Sequence, residues 1–310
     1  MKVVRMTGAR PPLVQDRAAR PEPGAGELLI RVWAAGVTPT ELSWYPTLHT
    51  KSGEQRAGAI PAHEFSGVVA EVGHDVGCLE VGREVYGMND WFSEGALAEY
   101  CVAPFFAVAP KPAVLSHADA ASVPISALTA WQGLLDRARL KSGERVLVHG
   151  AAGAVGIFAV QLARLHGAHV TATASEANAE FVRSLGAEQV IDYRSGRFEE
   201  HAGPMDVVFD TVGGETLQRS WGVLKPDGRM ITIVSSEENS TDPRTKAAFF
   251  IVEPNQKQLC LVAALLETGR LRTVVDTVVP LAGANDAYSG KLPRQHRGKM
   301  VVAIANANAN

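Results

Sequence analysis

Cysteine is scarce. There are three, Cys78, Cys101 and Cys260, and none is paired by spacing. That excludes a disulfide framework and a cysteine-based metal knuckle, and the thiols read as buried or idle ones in a reducing compartment. Charge of one sign is also missing. Thirty Lys+Arg stand against 33 Asp+Glu, for a net charge of -3, with no long run of either. A nucleic-acid or anionic-membrane partner therefore has no electrostatic support. No apolar run approaches membrane-spanning length. The opening MKVVRMTGARPPLV lacks the charged segment and apolar core of a signal peptide. A cytoplasmic protein acting on small molecules is expected.

What is present is an ordinary globular composition, 46% hydrophobic and 20% charged over 310 residues. That length suggests about two domains. Residues 27–34 (ELLIRVWA), 65–72 (FSGVVAEV) and 97–102 (LAEYCV) alternate as half-buried strands do. With Pro and Gly recurring between them, residues 1–117 read as a compact β-barrel or sandwich. From residue 118 the texture changes to strands alternating with helices. Residues 145–149 (RVLVH), 169–174, 189–192, 207–211 and 229–234 read as strands, with helices over 155–166 and 177–185 closed by Gly167 and Gly186. This alternation predicts a doubly wound parallel sheet over 118–267. Residues 268–310 return to strand-like text, and periodicity leaves open whether they extend that sheet or complete the first domain.

The most informative segment runs from Gly150 to Gly156, GAAGAVG, between a strand and a helix. It is a Rossmann-type phosphate loop with Ala151 at the first glycine of G-x-G-x-x-G. Small residues let a pyrophosphate reach backbone N–H groups at a helix N-terminus, where the dipole favours an anion. The predicted contacts are Gly150, Ala152, Gly153, Ala154, Val155 and Gly156. The next strand ends at Ala174-Ser175, where an NAD-preferring fold usually carries Asp or Glu for the ribose 2′-OH. That neutral end points to NADP(H), with Ser175, Tyr193 and Arg194 as contacts for the 2′-phosphate. Glu176, one residue on, is the feature that argues for NAD.

The sequence resembles the medium-chain dehydrogenase/reductase superfamily, in its zinc-independent quinone oxidoreductase-like branch. Six motifs carry the resemblance in order: GAGELLIRVWAAGV (24–37), IPAHEFSGVVAEVG (60–73), VPISALTAWQGL (123–134), the AAGAVG loop, LGA (185–187) with VIDY (190–193) and DTVGG (210–214), and RGK (297–299). The resemblance implies a GroES-like catalytic barrel in residues 1–117, completed by the tail, beside the Rossmann domain. It implies an NADPH-dependent reductase, homodimeric, with substrate in the interdomain cleft. By motif position it places Thr129 near the nicotinamide phosphates and Val212 and Gly213 under the ribose. Ser235, Phe250 and Val252 fall around the nicotinamide, residues 249–254 being read as a strand, and Lys299 within reach of phosphate.

Zinc-dependent relatives carry a cysteine where Thr38 stands and another near residues 123–128, where there is none. The His63-Glu64 pair is kept. Three protein ligands are the norm for catalytic zinc, so no metal is expected. Without a Lewis acid, reduction of a quinone or of an activated C=C in an α,β-unsaturated carbonyl is the accessible chemistry. The oxygen that gathers charge then needs a donor or proton source. Tyr45, Thr38, Thr40 and His63 are the candidates. A zinc alcohol dehydrogenase and a cofactor-binding protein without turnover are the competing readings.

Overall fold

The computed structural model describes residues 1–8, 12–77, 79–293 and 295–304; Cys78 and the terminal NANAN lie outside them. The chain opens with a two-stranded antiparallel ribbon, β1 (Lys2–Met6) and β2 (Leu13–Arg17). The barrel proper is built from β3 (Glu27–Gly36), β4 (Glu64–Val72), β5 (Glu84–Met88), β6 (Tyr100–Pro104) and β7 (Val108–Pro110). Between β3 and β4 lie a 3-10 turn at Pro39–Ser43 and the single-turn α1 (Tyr45–Leu48).

Helices α2 (His117–Ala121) and α3 (Pro124–Trp131) lead into the second unit, and α3 continues as a π-helical turn over Gln132–Arg137. There follow β8 (Arg145–Val148), α4 (Gly156–Leu165), β9 (His169–Ala174), α5 (Glu176–Ser184), β10 (Gln189–Asp192), β11 (Met205–Asp210), α6 (Gly214–Ser220) and β12 (Leu224–Thr232). These five strands form one sheet in the order β10-β9-β8-β11-β12, and every pairing is parallel. The order reverses between β8 and β11, which opens a crevice beyond their carboxyl ends where open α/β sheets bind ligands. Helices α7 (Pro243–Ala248) and α8 (Gln256–Glu267) complete the unit.

The tail supplies β13 (Val275–Pro280), α9 (Ala284–Ser289) and β14 (Lys299–Ala303). β14 pairs antiparallel with β3, so the seven-stranded sheet runs β13-β14-β3-β4-β5-β7, with β6 also on β3. β3 is long enough to share one edge: its first half, Glu27–Arg31, meets β6, and Ala34–Gly36 meets β14. Residues that the sequence leaves unassigned thus close the barrel. Residues 249–254, expected as a strand, form one isolated bridge from Phe249 to Thr232. Pro254 lacks an N–H, and Gln132 takes both backbone groups of Glu253 with its side-chain amide, so no ladder continues.

Two large cores result. One fills the barrel around Phe65, Leu28 and Ile30. The other joins Tyr86 and Met88 of the barrel to Leu128, Phe158 and Phe209 of the parallel-sheet unit. The Tyr86 hydroxyl donates to the Leu259 carbonyl at 2.6 Å across this junction. Cys101 is buried, and burial pushes its thiol up to about 12, as an idle thiol requires. Among the described residues no helix is long and apolar enough to cross a membrane. Tyr86→Phe removes one buried hydrogen bond between the units and is expected to cost about 1 kcal/mol, read as a lower urea midpoint at unchanged slope.

Candidate active site

β8 ends at Val148 and the chain turns through His149 and Gly150, whose φ of +68° suits glycine. A Cβ on Gly156 would sit 2.3 Å from the Gly150 carbonyl oxygen and 2.7 Å from Ala151 Cα, so the packing of α4 onto the loop requires glycine there. Gly153 differs: its added Cβ would meet only the Gly150 oxygen, at 3.2 Å. The protein does not fill the space Gly153 faces, and a Cβ would project into it. The Gly153 N–H bonds Gly150 and the Ile157 N–H bonds Gly153. No side chain caps α4 at Val155; the Phe158 and Ala159 N–H groups are bonded to the Val155 carbonyl, and the positive end of the helix dipole faces the loop. Ala152, Ala154 and Val155 complete a cradle that fits a pyrophosphate.

At the far end of the crevice, Asp192 of β10 lies beside Ala174 of β9. This register brings Ser175, Tyr193 and Arg194 together. Ser175 precedes α5 without spending its hydroxyl on a cap. Tyr193 is 55% exposed, and the Arg194 guanidinium lies 5.4 Å from its ring centre. Glu176 is exposed in the first turn of α5. On the opposite side, Asp210 is buried and accepts the N–H groups of Val212 and Gly213 and the Thr232 hydroxyl. Burial pushes its carboxyl up. These bonds fold the DTVGG turn and leave Val212 51% exposed at the crevice.

The other five expected cofactor contacts are placed as follows. Phe250 and Val252 are buried, at 4% and 7% exposure, within the second core, and Ile251 between them is the exposed one. Ser235 sits exposed on a 3-10 turn. The Thr129 hydroxyl bonds back to Ile125 O of its own helix at 2.6 Å. Lys299 does not reach for phosphate. Its ammonium is buried on the carboxylate of Glu64 and lies 3.4 Å from the Thr38 hydroxyl.

That ion pair belongs to a buried hub. Glu64, with no exposure, also accepts the Ile125 N–H at 2.9 Å. Burial pushes its carboxyl up and Lys299 pulls it back. A second buried carboxylate, Glu41, accepts from His63 Nδ1 at 2.8 Å and from the Tyr288 hydroxyl. His63 Nε2 is buried and has no partner. The Trp91 ring lies 5.4 Å from His63 and, edge-on, 5.4 Å from Trp44. Of the proton-source candidates, His63 and Thr38 are in this hub. Thr40 is exposed, and Tyr45 is 56% exposed and stacked on His49. Trp44 rather than Tyr45 turns inward. Gly298 links the hub to the cradle: its N–H bonds the Ala152 carbonyl at 2.8 Å, and the next residue is Lys299. Two successive residues of the tail thus touch the phosphate loop and the hub.

Sequence reasoning passed over Glu41, Tyr288 and Trp91 in the hub, and His149 beneath the loop. Glu41 had a signal, an acidic residue beside Leu42 in the GVTPTEL run. Tyr288 had none, because its partner is far off in the chain.

Residues 24–113 match the family of alcohol dehydrogenase GroES-like domains, and residues 185–302 that of zinc-binding dehydrogenases. The chain is 32% identical over 298 residues to a probable zinc-binding oxidoreductase, mitochondrial, from Arthroderma benhamiae, spanning 90% of this chain and 88% of that one. The quinone oxidoreductase of Coxiella burnetii superposes with a TM-score of 0.86 at 29% identity, over 98% of this chain and 99% of that one. The CurK enoyl reductase superposes with a TM-score of 0.83 at 26% identity, over 98% and 99%. The chain belongs to the medium-chain dehydrogenase/reductase superfamily, quinone-oxidoreductase-like. It is an NAD(P)H oxidoreductase with a nicotinamide cofactor.

Zinc, which one of those family names implies, does not fit these residues. His63 Nε2 is one available donor. Thr38 offers a hydroxyl in place of a thiolate, and Glu64 is bound to Lys299 and Ile125. No group of three His, Cys, Asp or Glu able to hold a metal occurs among the described residues, and a catalytic zinc takes three protein ligands. The nicotinamide dinucleotide does fit, in the open space before Gly153 and the uncapped helix.

Two predictions follow from this geometry. Lys299→Met leaves Glu64 charged and unpaired in the interior, at an expected cost of about 3 kcal/mol or more. Adding Glu64→Gln should recover most of that, because the amide oxygen still accepts from Ile125; a double variant no more stable than the single in urea would contradict it. The second concerns His149, which burial, with a smaller push from Arg219, holds down at about 4 against an ordinary 6.5, while Glu199 pulls the other way. The unfolded chain takes up this proton first as pH falls below 6.5. Stability is therefore lost from pH 6.5 down to about 4, by about 3 kcal/mol in all. His149→Gln should flatten that part of the melting-temperature profile.

Proposed function

We propose that the chain is an NADPH-dependent reductase of quinones or of the activated C=C of α,β-unsaturated carbonyl compounds, working without metal. The observation that carries this reading is the unpartnered Nε2 of His63 in a hub one residue from the phosphate cradle, with no donor set for an ion around it. The likeness to a quinone oxidoreductase and to an enoyl reductase supports the substrate class. The neutral end of β9, with Ser175, Tyr193 and Arg194 gathered beside it, supports NADPH over NADH.

Bound in the cradle, the reduced nicotinamide supplies a hydride. Val212 and Gly213 border its path along the crevice. As hydride reaches the β-carbon, or the quinone ring, negative charge moves to the conjugated oxygen and must be met by a donor. Glu41 orients His63 by accepting from Nδ1, and the Tyr288 hydroxyl fixes Glu41. Nε2, the one ring nitrogen left over, carries the proton handed to the substrate. The product gains one hydride and one proton, and His63 recovers its proton from solvent before the next turnover. Lys299 holds Glu64 and approaches Thr38, keeping the hub wall in place.

The test is steady-state oxidation of NADPH with a benzoquinone and an enone panel, in the presence of EDTA. Turnover is expected with at least one class, NADPH binding about tenfold or more tighter than NADH, and His63→Asn lowering kcat about 100-fold. Stoichiometric zinc with EDTA-sensitive turnover would establish an alcohol dehydrogenase instead. Tight NADPH binding with no turnover across the panel would establish a binding protein, and equal affinity for NADH would remove the 2′-phosphate argument.

A further inference from the structure

Directly beneath the phosphate loop lies a polar chain that the mechanism above does not use. His149 is fully buried between β8, β9 and α6. Its Nδ1 is 3.0 Å from Thr173 Oγ1 and its Nε2 is 2.9 Å from Ser220 Oγ. The Ser220 hydroxyl has one proton, and it goes to the Thr216 carbonyl at 2.6 Å. Ser220 can then only accept at His149, so Nε2 carries the ring hydrogen. In the neutral ring Nδ1 is left as an acceptor, and the Thr173 hydroxyl must donate to it. With its proton committed, the Thr173 oxygen faces the Gly150 N–H at 3.4 Å, while the Thr173 carbonyl accepts from Ala151 N–H at 3.1 Å. The Thr211 hydroxyl donates to the His149 carbonyl at 2.8 Å, and Phe198 closes the ring edge-on at 4.6 Å.

Every polar atom of His149 is thereby satisfied in one direction, from Gly150 through Thr173 and His149 to Ser220 and α6. A buried network so determined has a single low-energy arrangement. Its first member, Gly150, is the residue from which the cradle starts. Gly150 also carries Gly153, whose N–H it accepts, and so sets where the open face of the loop lies.

We propose that His149, as its Nε2–H tautomer, is a positioning residue for the dinucleotide: through Thr173 it fixes the entry to the phosphate loop. The inference rests on the reading that this loop holds a nicotinamide dinucleotide. It predicts that the two arms of the imidazole are unequal. The Nδ1 arm reaches the loop; the Nε2 arm reaches only α6.

Direct binding of NADPH, followed by fluorescence titration of the full chain, separates them. Thr173→Val keeps the side-chain shape and removes the hydroxyl. It is expected to weaken NADPH about 5- to 30-fold, the size of a lost buried hydrogen bond, with KM for NADPH rising by more than kcat falls. Thr173→Ser should restore binding. His149→Asn keeps an acceptor near the Nδ1 position, and His149→Gln keeps a donor near Nε2. His149→Asn should therefore bind NADPH more tightly than His149→Gln even where the two melt at the same temperature. Wild-type affinity in folded Thr173→Val, or affinity in the His149 pair that follows melting temperature alone, overturns the proposal. If wild-type protein binds neither NADPH nor NADH, the reading of the site has failed and this inference with it, an outcome distinct from variants that bind as wild type does.

Discussion

The pairing of Lys299 with Glu64 is the constraint on which the rest of the structure turns. A carboxylate and an ammonium, at 0% and 5% side-chain exposure, have both left water. Each loses several kcal/mol of hydration, and the loss is recovered only if they meet with their remaining hydrogen bonds filled. Glu64 therefore needs the Ile125 N–H as well, and Lys299 approaches Thr38. Meeting those terms brings β4, the start of α3 and β14 to one point. The backbone around it is shaped to suit: a Cβ on Gly36 would lie 2.5 Å from Glu64 Oε1. Because Gly298 precedes Lys299 and bonds Ala152, the same step that closes the barrel fastens it to the phosphate loop. A buried pair adds little net stability; here it specifies which segments come together.

Within that hub each buried acid is already spent. Glu64 has Lys299 and Ile125; Glu41 has His63 and Tyr288. A metal would compete with internal partners for both. What the network leaves over is one imidazole nitrogen against Trp91. In a dry wall an unpartnered donor or acceptor of this kind is costly and marks a place where function is to be sought.

How far the sequence could be read depended on the range of the forces involved. The phosphate loop was legible because glycine spacing, the strand before it and the helix after it are all local, and the packing around Gly156 bears out the reason for a glycine at that position. The alternation of strands and helices predicted the parallel sheet for the same reason. Lys299 was misread because its partner is 235 residues away in sequence; from the tail alone, a lysine beside a glycine suits phosphate equally well. Phe250 and Val252 were misplaced by phase. In extended chain alternate side chains face opposite ways, so with these two in the core it is Ile251 that turns outward. Tyr45 is a candidate in the sequence for its hydroxyl, but the single turn of α1 carries it to solvent and its neighbour Trp44 inward. Periodicity could not set that rotation over four residues.

The two halves of the cleft are built on different physical terms, and this decides what family membership carries over. The cofactor half is backbone and buried network: Gly150, the N-terminus of α4, and the Asp210 bonds that fold the turn at Val212. Such elements accept few substitutions, since each leaves a buried polar group unpaired or forces a Cβ into backbone. A nicotinamide dinucleotide is therefore a property of the fold. The substrate half is different. Trp44 and Trp91 come from the 3-10 and turn segments between strands, held by ring packing rather than by ladder bonds. Side chains in such segments change without disturbing the sheet, so the same scaffold can meet quinones, enones or other acceptors by altering only this wall. The chemistry of hydride delivery follows from the family, whereas the identity of the acceptor does not follow from the fold.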